Sequence, residues 1–148
     1  MLLIGSKVID WVAERVQGDF GRKTVGIGWL RPSGIVAGVV YEDWNGANVV
    51  CHIAGEGANW LNREYLWTIF DYPFNQLRAK RITVYVSQGN EKSLKFVKHL
   101  GFRLEAKLAD ASPTGEIHIF RMRRDECRWI KMKRMQLYGQ RSLNAASA

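Results

Sequence analysis

The sequence predicts an α/β (α+β) domain, and three observations carry that prediction. Segments with helical spacing of apolar residues alternate with β-branched runs, in the order helix, three strands, helix, strand, helix, two strands. Turn signals separate the runs at Arg31-Pro32-Ser33-Gly34, Asp43-Trp44-Asn45-Gly46 and Ser112-Pro113-Thr114-Gly115. The chain has 148 residues, 47% hydrophobic and 24% charged, a profile of one globular domain with a sizeable core.

Each element has its own justification. Val8, Val12 and Val16 recur at i, i+4 and i+8, predicting an amphipathic helix over Ser6–Gln17 that Ser6 caps and Gly18 ends. Thr24–Leu30, Gly34–Tyr41 and Asn48–Ala54 read as strands of an antiparallel meander. The period turns helical from Asn62 to Leu77, where Leu66, Ile69, Phe70, Pro73 and Leu77 share a face. Pro73 should kink that helix, because its ring displaces a turn and removes a donor. Arg81–Val86 alternates strictly and reads as a strand. Asn90 is a good N-cap for a short helix carrying Leu94, Val97 and Leu100, with Gly101 just past its end. Two strands follow, near Arg103–Leu108 and Glu116–Met122. The expected organisation is a single domain over residues 1–130 and a basic, flexible tail over 131–148.

Charge and cysteine usage narrow the setting. The net charge is +8, and Arg121, Arg123, Arg124, Arg128, Lys131, Lys133, Arg134 and Arg141 crowd the end of the chain. That basic run is either a solvated, solubilising tail or a contact for nucleic acid or an acidic partner. The two cysteines, Cys51 and Cys127, form no metal-ligand spacing, so no metal is expected. No apolar stretch approaches the roughly 20 residues that span a bilayer, and Lys7, Asp10, Glu14 and Arg15 interrupt the first apolar run. A cytoplasmic protein without membrane partners is expected, with homodimerisation left open.

The most specific local signal is Asn90–Glu105, reading NEKSLKFVKHLGFRLE. It resembles a segment of the GNAT superfamily of N-acetyltransferases: Asn, two residues, Ser or Ala, a short helix, then Leu-Gly-Phe and an acidic residue. Tyr72-Pro73-Phe74, Leu77 and Arg81–Val84 are similar to that family's central helix and following strand, above all in the branch that acetylates ribosomal-protein N-termini. Leu104–Arg121 is similar to its closing hairpin. The resemblance covers about residues 20 to 125, and a Glu-Cys-Arg-Trp ending at Glu126–Trp129 looks closest to small phage-encoded members.

The resemblance implies a mixed, twisted central sheet of about six to seven strands with helices on both faces. It also implies acetyl-CoA as co-substrate, lying in a gap between two splayed parallel strands, here Val49–Ala54 and Arg81–Val86. An open gap is the condition on which the whole functional reading depends. The pyrophosphate would sit where the central helix begins, since that terminus carries unpaired donors and partial positive charge. The corresponding positions are Gly57, Ala58, Asn59, Trp60, Leu61, Asn62 and Arg63, with the backbone of Ile53 and Ala54 and the side chain of Asn90 completing the cofactor contacts. The loop departs from the family pattern: Gly55 and Gly57 come early, and Trp60-Leu61 stands where small residues let phosphates approach. Arg63 could compensate with a charge-assisted bond.

Acyl transfer to an amine needs a base, because an amine of pKa near 10.4 is about 3 units from neutral at pH 7, roughly 4 to 5 kcal/mol. His52 and Glu56 are the candidates, against the alternatives of a hydrogen-bonded strand histidine and an exposed loop carboxylate. The family's tyrosine acid, six residues after the motif asparagine, is replaced by Phe96, which donates no proton. Ser93 could bond the sulfur or pantetheine or serve as a local cap, and Asn90 could contact cofactor or cap its helix. Backbone N–H groups near Ile53 or Ala54 would stabilise the oxyanion. Of six tryptophans, Trp29 and Trp67 are expected in the core, while Trp44 and Trp60 lie in loops that could line a substrate mouth. The acceptor is an unidentified amine: a protein N-terminus, a lysine or a small molecule. The competing reading is a catalytically decayed module that binds a host protein or nucleic acid through its basic surface.

Overall fold

The computed structural model describes residues 1–21, 23–57 and 59–131. Seven strands form one sheet in the order β1-β2-β3-β4-β5-β7-β6: β1 (Leu2–Ile4), β2 (Val25–Arg31), β3 (Gly34–Glu42), β4 (Asn48–Gly55), β5 (Arg81–Ser87), β6 (Arg103–Ser112) and β7 (Gly115–Arg123). Only β4 and β5 run parallel among the described strands; every other neighbouring pair is antiparallel. The mixed sheet of the sequence reading is therefore present, with β1 added by the apolar run at Leu2–Ile4.

Helices cover both faces because the strands alternate. Val40 of β3 faces Val8 and Val12 of α1 (Ser6–Val16), while Val39 and Tyr41 face the larger core beneath α2 (Arg63–Asp71) and α3 (Glu91–Leu100). Helix α1 lies close to the sheet: a Cβ on Gly38 would stand 2.6 Å from Val12 Cγ2, so that position tolerates no side chain. The larger core joins Ile69 and Phe70 of α2, Val97 and Leu100 of α3, and Ile82, Phe120 and Met122 of the sheet, all almost fully buried.

Three local expectations are corrected. Helix α1 is capped by Gly5, at φ 128°, without a side-chain bond from Ser6, and it ends at Gln17, itself left-handed at φ 54°, not at Gly18. The segment after α2 does not simply kink at Pro73. It passes into a π-helical turn over Tyr72–Gln76, in which Leu77 N–H bonds Tyr72 O at 3.0 Å. Proline cannot donate to the carbonyl four residues back, that of Ile69, and the buried hydroxyl of Tyr41 on β3 donates to it instead. The vacated helical bond thus becomes a tie between α2 and the sheet.

Trp29 packs partly buried against Tyr65, at 5.9 Å between ring centroids, as a core role requires. Trp44 is 39% exposed. No helix among the described residues is long and apolar enough to cross a membrane. The basic tail beyond Lys131 lies outside the described residues, as does Ala58.

Candidate active site

The site is built by two parallel strands that part. β4 and β5 stay in register for Asn48↔Arg81, Val49↔Ile82 and Val50↔Thr83, and pairing stops there although both strands continue, to Gly55 and to Ser87. The opening lies at their carboxyl ends. In an open sheet this is where crossover connections leave in different directions and ligands settle. Both following helices begin here. Asn62 Oδ1 accepts from Tyr65 N at 2.9 Å to cap α2, and Asn90 Oδ1 accepts from Ser93 N at 3.2 Å to cap α3. The remaining first-turn N–H groups leave partial positive charge at each start, which Glu64 and Glu91 oppose or occupy from the first turns themselves.

The backbone of β4 decides which donors face the opening. Glu56 N donates to Val36 O of the neighbouring chain segment at 2.9 Å, in register with Gly38↔Ala54 and Val40↔His52. Along an antiparallel pair the N–H groups alternate, so Ala54 and His52 point theirs at β3, and Ile53 and Gly55 point theirs into the opening. Of the two backbone groups expected near the reacting carbon, the Ile53 N–H points into the opening and the Ala54 N–H points at β3.

Side chains alternate in the same way. Cys51 and Ile53 lie on the face of α2 and α3, and His52 on the face of α1, where it meets Phe20 at 4.9 Å between ring centroids. His52 Nε2 lies 2.6 Å from Glu42 Oε1 on β3, and both side chains are about three-quarters buried, at 27% and 21% exposure. A carboxylate accepting at Nε2 leaves Nδ1 of a neutral ring as the acceptor. Tyr85 stands on the same face across the opening and is 50% exposed. Glu42 escaped the sequence reading because it sits ten residues before His52, and only β3–β4 pairing brings them together.

The other candidates are placed as follows. Glu56 is engaged by Arg15, with Nε and Nη2 each 2.7 Å from Oε1, and Arg15 in turn lies over the Trp11 ring at 3.6 Å. Ser93 and Asn90 stand at the start of α3, Asn90 in its capping role. Gly57 and Asn59 take left-handed backbone at φ 72° and 65°, and Arg31 Nη2 fixes the loop by donating to Asn59 O at 2.5 Å. Asn62 is held in the cap of α2, and Arg63 is exposed at its first position. Leu61 packs partly buried against the large core.

Trp60 has the most consequential position. A Cβ on Gly55 would lie 2.2 Å from Trp60 Cε2 and 2.5 Å from Nε1, so the indole rests directly on the end of β4. Its ring also meets Phe96 of α3 at 5.4 Å and Tyr65 of α2 at 6.3 Å. The strands part as required, but on the helix side an indole reaches from β4 to α3 across the opening. Cys51, earlier on β4 and in the large core, is a buried free thiol whose pKa burial pushes up to about 12. Among the described residues no group of three or more His, Cys, Asp or Glu could hold a metal ion.

No protein-family model and no curated protein sequence matches the chain. Solved structures do. The chain is similar to spermidine N-acetyltransferase of Vibrio cholerae in complex with CoA and spermine, at 13% identity and TM-score 0.60, over 80% of this chain and 75% of that one. It is similar to an acetyltransferase of the GNAT family from Bacillus anthracis, at 13% identity and TM-score 0.58, over 79% and 73% of the two chains. Identity this low speaks to architecture, and with the seven-strand mixed sheet, its parted parallel pair and helices on both faces, it shows that this chain has the fold of the GNAT acetyltransferases.

Proposed function

We propose that the chain is an N-acetyltransferase that passes an acetyl group directly from acetyl-CoA to an amine. The observation that carries this reading is the loss of β4–β5 pairing after Val50↔Thr83. It leaves backbone donors of Ile53 and Gly55 free to bond an extended pantetheine arm as another strand would. A fold alone hosts many activities, so the chemistry rests on these groups. The phosphates would lie at the starts of α2 and α3, with Arg63 within the same terminus and Asn59, Trp60, Leu61 and Asn62 forming the loop.

Helices α2 and α3 cover one face of the opening, so the amine approaches from the face of α1, where His52 and Tyr85 stand. His52, oriented by Glu42, takes the amine proton, since Glu56 is committed to Arg15. The amine nitrogen attacks the thioester carbon, the Ile53 N–H bonds the oxyanion, and the carbon–sulfur bond breaks. The departing thiolate takes its proton from solvent, because Phe96 offers none. The thiol of CoA is acidic enough to leave in this way. With a net charge of +8 the chain repels polycations, which favours neutral or anionic carriers of the amine over polyamines.

A second reading is favoured by one observation, the Trp60 indole lying across the opening: a decayed cofactor site on a basic module that binds nucleic acid or a host protein. Thermal unfolding separates the two. At 100 times its dissociation constant acetyl-CoA adds about 2.7 kcal/mol to folding, or roughly 5–10 °C for a chain of this size. Such a shift, with CoA thiol released over a panel of amines, supports the transferase. No shift and no release at millimolar cofactor, in the natural chain and in Trp60→Ala alike, leaves the module.

A further inference from the structure

We infer that a cleft at the amino-terminal end of β5 binds a multiply charged phosphoanion, at a site separate from the acyl-transfer opening. The cleft has a volume of about 980 Å³, and Arg78, Lys80, Arg123, Arg124 and Lys131 line it, with Asp125 as the only carboxylate among the described residues. Its size is that of small-molecule sites, which span roughly 300–1,000 Å³. β5 separates it from the opening at Ser87 by about 20 Å, at ~3.3 Å of rise per residue.

Carboxylates leave most of the cations there unneutralised, although Arg124 and Lys131 donate to neutral oxygens, Lys131 Nζ to Asp125 O at 3.5 Å. Among the described residues Arg78, Lys80, Arg124 and Lys131 have no carboxylate partner, and only Arg123 has one, Glu126, at 3.3 Å. Four unneutralised cations around one concave surface repel each other and raise the local concentration of anions. The fold nevertheless fixes them there. Arg124 is aimed by its bonds to Phe74 O and, at 2.6 Å, to Asn75 Oδ1. The Arg78–Lys80 turn is pinned by Ala79 N to Pro73 O and Lys80 N to Ala47 O, both 2.8 Å. Arg78 itself is held at φ 58°, a left-handed conformation that is unfavourable for a residue with a Cβ and persists where surroundings impose it. Three of the five cations are arginines, whose planar fork matches phosphate oxygens better than a point charge does.

The test titrates the full chain with tripolyphosphate, citrate and a single-stranded oligonucleotide, following heat of binding at two salt concentrations. Saturable tripolyphosphate binding, stronger than that of citrate and roughly tenfold or more weaker in Arg78→Ala/Lys80→Ala, is expected. Both side chains are exposed, so the double variant keeps its fold, which an unchanged melting temperature without ligand verifies. Oligonucleotide binding tighter than tripolyphosphate, with the same loss, identifies the phosphates as those of a strand. Acetyl-CoA affinity should be equal in the two proteins, so this site and the transferase reading stand or fall separately. Absence of saturable binding, equal binding of citrate, or binding indifferent to the double substitution overturns the inference.

Discussion

Replacing Trp60 with alanine tests whether the indole is a gate for the cofactor. The ring gives up two aromatic contacts, to Phe96 and Tyr65, each worth about 0.5–1.5 kcal/mol, so the substitution should lower folding stability by about 1–3 kcal/mol. If an incoming pantetheine arm must displace the indole, binding bears the same cost in the natural protein, because only the displaced state is competent. Alanine removes that cost, and acetyl-CoA should bind about 5- to 150-fold more tightly. Gly55→Ala approaches the same point from the strand. Its Cβ would be placed 2.2–2.5 Å from indole atoms, pushing the ring off β4 and increasing affinity in the same direction. Calorimetric titration of all three proteins with acetyl-CoA reads the effect directly. Unchanged or weaker affinity in both variants would refute the idea that the ring stands in the arm's path.

Other consequences follow from single contacts. Tyr41→Phe removes the hydroxyl that donates to the Ile69 carbonyl, which Pro73 cannot bond; a loss of about 1–3 kcal/mol is expected in denaturant unfolding. His52→Ala should lower kcat by about 10²–10⁴ with little change in KM. Glu42→Gln should lower it less, and the double variant no further than His52→Ala, since Glu42 acts through the ring; additive losses would separate the two residues. Glu126 is held below the usual carboxylate range, first by the Arg123 backbone N–H at 2.9 Å and then by the guanidinium groups of Arg123 and Arg121. A depressed folded pKa means its stabilisation is full above the unfolded value of about 4.3 and vanishes as pH falls through the folded one. Melting temperatures of the natural chain and Glu126→Gln should therefore differ at pH 6 and converge toward pH 3; a constant gap would contradict the linkage.

Much of the architecture was legible because its signals are local. The alternation in Arg81–Val86, the cap at Asn90 and the glycine after Leu100 each depend on neighbours a few residues away, and each is found where the pattern placed it. Ser6 misled because a serine can cap only if the preceding backbone allows it, and Gly5 takes that role. Pro73 misled because the lost backbone bond was assumed to bend the helix, whereas Tyr41, 28 residues from Ile69, supplies a donor.

The candidate site divides along the same line. Residue types and spacing determined by themselves that His52 lies within a strand, Glu56 in the loop after it, and Asn90 and Ser93 at the start of a short helix, and that Phe96 cannot supply a proton; their nearness to one another was only what the family resemblance implied. Only the tertiary structure decided that Glu42 bonds His52, that Arg15 occupies Glu56, that Ile53 but not Ala54 turns its N–H into the opening, and that Trp60 lies on Gly55. The physical reason is one of range: capping and periodicity are set by a few consecutive dihedral angles. Ion pairs across strands, the hand of an N–H and the seat of an indole depend on which distant segments the packed sheet brings into contact.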